Sequence, residues 1–444
     1  MTTPNAQYRG PGGFLSQPTA ERSVMSSYLE PMGIDALLPA TPTTVTNPLF
    51  PIWTGVTAEA GTEAEQVCDP GPTALMTAAY MTAGFGRLIR STPTIDKGTL
   101  SQTIAGEPTQ LSFLAQTGGM STWRPNQTDL GADILTNATR GAMFVVGTQF
   151  ARKLSQMIWQ GNPSVNNPAK PGYLEFPGID KQVATGQVDA LSNNAIAALD
   201  SYVGNANFQN VATWDVVKNL SEMERFLRHK ANAQFGSADF VFVMRPELWE
   251  RIAEVWPIQY NTQSVEYLLR TTGVSINVNG DALVAARDAM KASGTIVING
   301  RTYQVVLDDG IFEHNSTNAA LAKGTYASTI YMLPLRAAGM QTLKIEYMDF
   351  RYGFGQIPGF PAGSVSWTDD GRYAWALEED KWCFSLHARI EPRVLLHTPQ
   401  IAGKIQRVAY TAATKDASPY PESPYFVDGG LSIRPQTQTY AVWK

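Results

Sequence analysis

The chain has 444 residues, a net charge of −5 from 34 basic and 39 acidic side chains, and a composition that is 43% hydrophobic but only 16% charged. Such a length allows two or three domains with a sizeable core, and the low charged fraction, against ~25% on average, implies a surface rich in uncharged polar groups or covered by neighbours. The acidic balance argues against a dedicated nucleic-acid binder with a strong positive field, though not against weak contact with packaged nucleic acid.

Cys68 and Cys383 are the only two cysteines. They sit far apart and outside any CxxC pattern, so neither a disulfide framework nor a cysteine zinc site is indicated. Two reduced thiols are the simpler reading, and an intersubunit bridge is the alternative. No basic-then-apolar leader opens the chain and no apolar run reaches the ~18 residues of a membrane span, so the expectation is a protein made and kept in the cytosol.

In chain order, residues 1 to about 72 are punctuated by ten prolines from Pro4 to Pro72, which remove backbone donors and bias their predecessors away from helix. One short helix, Ala20 to Leu29, fits before Pro31. This is an arm. Disorder is one reading of it, but Leu37, Leu38, Val45, Leu49, Phe50, Ile52 and Trp53 are too apolar for a solvated tail. An arm extended across a neighbouring subunit would bury them. From Phe85 to Arg124 come strand-like pieces, Arg87 to Thr94 and Leu111 to Gln116, which read as a projecting β-hairpin with too little apolar surface for a core of its own.

Leu130 to Gln160 reads as one long helix. Ile134, Leu135, Ala138, Ala142, Val145, Val146, Phe150, Leu154, Met157 and Ile158 keep a 3.6-residue period, with Asp129 as N-cap and Gly161 at the left-handed C′ position. At ~1.5 Å per residue it would run roughly 45 Å, which is the length of a brace. The loop Gly161 to Asp180 follows at once.

A second helix is expected after Thr213 as N-cap, with Val216, Leu220, Met223 and Leu227 on its apolar face and Glu222, Glu224, Arg225 and Arg228 elsewhere. The strand Asp239 to Met244 turns through Arg245-Pro246 into a helix, Glu247 to Val255, with proline at its first position. Further on come a short helix, Asp281 to Ala292, and a hairpin, Thr295 to Leu307, whose Asn299-Gly300 suits a type I′ turn. Strands follow at Ser328 to Pro334, Thr342 to Tyr347, Cys383 to Ile390 and about Val394 to His397. A last strand or short helix runs to Val408, and Thr411 to Lys444 reads as a terminal extension.

The search for chemistry is mostly negative. There is no GxxxxGK[ST] loop, HExxH, GxSxG or strand-linked GxGxxG, and Gly84-Phe85-Gly86 and Gly353-Phe354-Gly355 lack the third glycine of a dinucleotide site. His229, His314, His387 and His397 are scattered, although His387 and His397 flank strands ten residues apart in the sequence. Asp308-Asp309, Asp369-Asp370 and Glu378-Glu379-Asp380 have the chemistry for acid/base work or hard-ion ligation, but solvated loops explain them more simply. Arg225, Arg228, His229 and Lys230 fit a solvated or ion-paired helix face. No catalytic, cofactor or metal residue is assigned. Many aromatics lie in the arm and extension, Trp53 and Trp443 among them, which fits contact surfaces at least as well as a carbohydrate groove.

The order of these parts resembles the major capsid protein of tailed bacteriophages, the Hong Kong 97 fold. The residues that carry the resemblance are Gln160-Gly161-Asn162 ending the helix, Pro171-Gly172-Tyr173-Leu174 and Phe176-Pro177-Gly178-Ile179. Phe240 to Met244 leading to Pro246-Glu247-Leu248-Trp249, Ile298-Asn299-Gly300 with Leu307-Asp308-Asp309, and Ala388-Arg389-Ile390 with Leu396 to Ile401 complete it. The resemblance implies an α+β fold: an N-terminal arm over 1–84, an extended β-hairpin loop over 85–128, and a peripheral domain with its spine helix over 129–189. An axial domain over 190–350, the peripheral return over 351–411 and a C-terminal extension over 412–444 would follow.

It also implies a non-enzymatic virion protein that self-assembles as hexamers and pentamers into an icosahedral head around double-stranded DNA. Its partners would be portal, scaffold and decoration proteins, with no membrane, no cofactor, and assembly in the host cytoplasm. Trp53, Lys97 and Trp443 are the expected intersubunit contacts, Lys97 being near the tip of the extended loop where some members form lysine–asparagine crosslinks. An encapsulin-like cellular compartment is the alternative of the same fold. A carbohydrate-active hydrolase using two carboxylates is the alternative of another class.

Overall fold

The computed structural model describes residues 33–56, 76–91, 95–96, 146–147, 149–166, 174–257, 280–314, 320–321, 324–350, 365–367, 371–380 and 383–411. The expected helix at Ala20 to Leu29, the strand at Leu111 to Gln116, the first half of the long helix with Asp129, Cys68, Lys97 and Trp443 lie outside the described residues.

The elements in chain order begin with strands β1 (Ala40–Thr43), β2 (Leu49–Val56), β3 (Met76–Thr82), β4 (Leu88–Ser91) and β5 (Ile95–Asp96). Helix α1 covers helical residues between 146 and 160, and α2 is the single turn Ile179–Gln182. Strand β6 (Tyr202–Asn205), helix α3 (Val216–Phe235), strand β7 (Ala238–Met244), helix α4 (246–257) and helix α5 (Gly280–Ser293) follow. The rest is mostly strand: β8 (Thr295–Ile298), β9 (Arg301–Leu307), β10 (Glu313–His314), β11 (Thr325–Ala337), β12 (Met340–Gln341) and β13 (Leu343–Met348). Strands β14 (Val365–Trp367), β15 (Ala374–Asp380), β16 (Cys383–Ile390), β17 (Pro392–Leu396) and β18 (Gly403–Thr411) end the described chain.

Local chemistry explains most of these boundaries. The expected hairpin forms as read: Ile298 pairs with Arg301, and Asn299 and Gly300 take φ of 49° and 75°, the left-handed pair that a type I′ turn needs. Pro246 opens α4 where its missing N–H costs nothing. The cap of α3 differs from expectation. Asp215, not Thr213, accepts the Lys218 N–H at 3.0 Å, and the Thr213 hydroxyl instead bonds the Asn210 carbonyl within the preceding turn.

Gly161 also departs from its expected role, since it is not among the positive-φ residues and its N–H still bonds the Met157 carbonyl at 3.0 Å. It is small for another reason. A Cβ there would stand 2.2 Å from the Phe176 carbonyl oxygen, and one on Gly178 would stand 2.5 Å from the Trp159 carbonyl oxygen. The two backbones touch, with the Gly178 N–H donating to the Gly161 carbonyl at 3.0 Å. This close approach folds the chain back on the end of α1.

The largest sheet has eight strands, ordered β6-β18-β11-β7-β9-β8, with β10 and β12 also on β11. Beside it stand a three-stranded sheet β1-β13-β17, a sheet β14-β15-β16-β4 with β5 on β16, and the pair β2-β3. Two strands lie elsewhere than chain order implied. β13, read with the axial part, pairs antiparallel with β17, and β18, read with the peripheral return, lies between β6 and β11. Pro334 is tolerated inside β11 because pairing with β18 stops at Met332 and the register with β7 breaks between Pro334 and Arg336.

Alternation along the sheet builds two cores. Phe240, Phe242 and Met244 of β7 join Leu220, Met223 and Leu227 of α3 and Leu248, Trp249 and Ile252 of α4. Val241 and Val243 point the other way, into a cluster with Phe150, Leu154, Met157 and Trp159 of α1 and Ile345 and Val394 of β13 and β17. The sheet is therefore covered on both faces. Each fully buried large apolar side chain is worth ~1.5–3 kcal/mol, so these two layers supply most of the stabilisation.

Part of the apolar side of the arm is also buried within its own chain. Ile34 and Leu38 join the α1 cluster, while Phe50 and Ile52 alternate into a smaller cluster with Ala79, Met81, Leu199 and Leu395. Leu38, Phe50 and Ile52 of the expected set are thus covered by their own chain, and Leu49 and Trp53 are half-buried. Leu37 and Val45 remain exposed.

Candidate functional site: a polar fastening of the arm to the two core layers

Residues 33–56 reach the body through a series of buried polar contacts. The first is Asp308, a 2%-exposed residue at the end of β9. Its carboxylate accepts from the Ile34 N–H at 2.8 Å, the Gly310 N–H at 2.8 Å and the Ser155 hydroxyl of α1 at 3.1 Å. One side chain thus ties the arm, α1 and the sheet. Its acidity is weakened by burial, against which those hydrogen bonds work. The sequence reading of the Asp308-Asp309 pair as a solvated loop holds for Asp309, whose side chain is 44% exposed, and fails for Asp308.

Next along the arm, Asp35 meets Arg372 at 3.0 Å, both being buried, with the guanidinium also 5.9 Å above the Tyr347 ring. Burial raises the Asp35 carboxyl above the usual range although Arg372 pulls it down. Arg393 of β17 then holds three segments at once. Its guanidinium bonds Glu346 of β13 at 2.6 Å, the Asn47 carbonyl at 2.6 Å and the Ala83 carbonyl at 3.1 Å, and it lies 4.3 Å from the Phe85 ring centroid. For Glu346 burial acts upward, but hydrogen bonds from Lys344 and the charge of Arg393 hold its carboxyl below the usual value.

The fourth contact seats Trp53. The turn from His397 to Ile401 takes β2 by its backbone. The Trp53 N–H donates to the His397 carbonyl at 2.9 Å, the His397 Nδ1–H donates to the Pro51 carbonyl at 2.7 Å, and Gln400 donates to the Trp53 carbonyl. The Trp53 indole stacks on the His397 ring at 5.0 Å and 14°. Of the three residues expected at subunit contacts, Trp53 is therefore placed against its own chain, while Lys97 and Trp443 lie outside the described residues.

Beneath the arm, the same polar style closes the turn after α1. The Asn162 N–H donates to the Glu175 carboxylate at 2.8 Å, and Asn166 exchanges two hydrogen bonds with the Glu175 backbone at 2.7 and 2.9 Å. Gln182 donates to the Pro177 and Val394 carbonyls and accepts from the Leu396 N–H, completing the edge of β17. Lys404 of β18 meets Asp180 at 2.8 Å, and the Tyr331 hydroxyl donates to the same carboxylate at 2.8 Å. On the far face, Glu224 accepts from Arg228, Asn299 and Tyr303, joining α3 to the β8–β9 hairpin. Burial and the neighbouring Glu224 push the Tyr303 hydroxyl up to about 12. Glu224 was read as lying off the apolar face of α3, and it is buried there by this network.

The remaining candidates from sequence find ordinary roles. Lys230 donates to the Asp200 carbonyl at 2.8 Å, and Arg225 and His229 are exposed. His387 lies between the Ser91 and Ser385 hydroxyls at 2.6 and 3.0 Å, apart from the partners of His397. Gly86 lies under the Phe176 ring, a close-packing position. Among the described residues no three His, Cys, Asp or Glu side chains are grouped to hold a metal ion, and no helix is long and apolar enough to cross a membrane.

No family model and no curated protein matches this sequence. Among solved structures, the chain is similar to the capsid of cyanophage A-1(L), at 13% identity over 87% of this chain and 93% of that one, with a TM-score of 0.41. It is similar to the capsid of cyanophage P-SCSP1u at 10% identity over 83% and 86% of the two chains, with a TM-score of 0.40. It is also similar to the SrpI encapsulin of Synechococcus elongatus, at 12% identity over 86% and 89%, with a TM-score of 0.36.

Proposed function

We propose that this chain is a structural subunit of a closed protein shell, the major capsid protein of a tailed bacteriophage with the Hong Kong 97 fold. The observation that carries the reading is the order of connected parts around α1. The helix ends at Gly161, the chain folds back through Gly178 onto that end, and the strand, proline and helix of 238–257 and the type I′ hairpin then follow in one sheet. That is the order and wording the resemblance implies. The buried ionic groups support it too, since their described partners fasten chain segments to one another.

In this reading α1 is the spine of a peripheral domain, and the loop proposed over 85–128 starts from strands β4 and β5 docked on β16 and reaches from there toward a neighbour. The axial domain runs over about 190–350 with β18 added and β13 given up to the peripheral sheets. Subunits would assemble as hexamers and pentamers around double-stranded DNA, with portal, scaffold and decoration proteins as partners and assembly in the host cytoplasm. Closed symmetric assemblies bury the same surface many times over, so an extended loop without its own core becomes stable there. Lys97 and Trp443 are then contacts between subunits, and no reaction is assigned to the chain.

Electron microscopy and light scattering of the purified protein test this. Closed particles are expected, and shortening the loop around Lys97 should leave a folded subunit that assembles poorly. Monomers or dimers under every assembly condition would overturn the proposal. Nucleic acid inside isolated particles identifies a head shell; a protein cargo would point instead to a cellular compartment of the same fold.

A further inference from the structure

His397 is 6% exposed, and three residues of the arm lie against its ring. Trp53 stacks on one side of the ring, Phe50 meets it edge-on at 5.6 Å and 88°, and the Pro51 carbonyl takes its Nδ1–H at 2.7 Å. Because a carbonyl only accepts, Nδ1 must carry the proton, and a second proton has only Nε2 to occupy. The charged groups that face the ring are Lys344 and Glu346 from β13 and Arg393 from β17, two positive and one negative. The strand it holds, Leu49–Val56, contains no titratable side chain. An added charge on the ring is therefore unwelcome in the seated arm and tolerated once the arm lifts and water reaches the ring.

We propose that His397 is an acid-sensitive latch on the arm, so that proton uptake favours release of β2 and β3 while the core layers stay folded. The sign follows from linkage. Burial, reinforced by Lys344 and Arg393 and opposed by the Pro51 hydrogen bond and Glu346, holds the seated imidazole below its usual value. A group whose value is depressed in the closed state contributes its full stabilisation above the open-state value, ~6.5, and loses it as pH falls below that. At about pH 5.5 the released ring is roughly tenfold more protonated than neutral, so arm opening should rise by up to about tenfold. This concerns the subunit itself and stands apart from the shell proposal.

Hydrogen exchange on the full chain, read at about pH 7.5 and about pH 5.5 and corrected for intrinsic exchange, tests it. Peptides covering 49–56 and 76–82 should open several-fold to about tenfold more at the lower pH, and peptides covering 238–244 should not change. His397→Asn keeps a donor for the Pro51 carbonyl but cannot take the proton, so its arm should show no acid response. Lys344→Gln removes one facing positive charge and should move the midpoint of the response to higher pH. An acid response that persists in His397→Asn, or that appears equally in 238–244, would overturn the latch. So would an arm in the natural chain that exchanges alike at both values.

Discussion

The arm and the central sheet sit in the same molecule but are held by different physics. β7, β9 and β11 are fixed by continuous apolar layers on both faces, in which no single contact dominates. Residues 33–56 contribute a few apolar side chains, and their path is set by discrete polar anchors at Asp308, Arg372, Arg393 and the His397 turn. A distributed apolar contact is lost all at once; a row of anchors can be undone one at a time. The sheet should therefore report global stability, and the arm local opening.

The largest expected effect lies in the sheet. Phe242 is fully buried and meets the Tyr303 ring edge-on at 5.5 Å. Phe242→Ala should cost about 3–5 kcal/mol of unfolding free energy in urea titration, with the arm and sheet losing protection together. Arg393→Ala comes next. It strips three segments of a shared partner, but Lys344 at 2.8 Å still neutralises Glu346, so the loss should fall near the low end for a broken buried pair, about 3 kcal/mol. Here the two regions should separate, with exchange rising first in peptides from 45–56 and 80–86. A uniform rise would mean that the arm is part of the core and the distinction is wrong.

Asp35→Asn is milder, because asparagine can still accept from Arg372 while the charge it balanced is gone. A loss of about 1–3 kcal/mol is expected, read as earlier proteolysis or exchange at 33–43 with little shift in the urea midpoint of the sheet. A full drop in that midpoint would move Asp35 from the arm's account to the sheet's.

What could be read in the sequence follows the same division. Periodicity marked α3, β7 and the β8–β9 hairpin, because apolar alternation and turn chemistry are local. The anchors were illegible since Asp35 and Arg372 stand 337 positions apart and Arg393 reaches Asn47 across 346. Their only trace is a lone charge inside an apolar run, as with Asp35 in Gly33–Ala36 and Arg393 in Pro392–Leu396. Gly161 shows a subtler failure. Its position at a helix end suggested a left-handed cap, whereas the reason for glycine is Phe176, fifteen residues on and in contact only after the chain folds back.

The smallest effect, and the finest test of the comparison, is in acid. Burial raises Asp35 and Asp308, both anchors of the arm, above the usual carboxyl value. For Glu224 burial also acts upward, but hydrogen bonds from Tyr303, Arg228 and Asn299 outweigh it and leave the carboxyl below that value. The signs are opposite. A raised carboxyl contributes stability that is complete at low pH and lost as pH rises through its folded value; a lowered one contributes stability present above ~4.3 and lost as pH falls through its own. As pH falls through their raised folded values toward ~4 the two carboxyl anchors of 33–43, Asp35 and Asp308, should therefore gain, opposite to the His397 latch on 49–56, while the α3–hairpin joint stays level, and below that the joint should weaken. Asp308→Asn should reduce the gain on the way down, read as the pH slope of exchange at 33–43, and Glu224→Gln should remove the loss at the bottom, read as the pH slope of the urea midpoint. The same change of both slopes in the two variants would mean that both carboxyls answer to one environment, and that arm and sheet are not held differently after all.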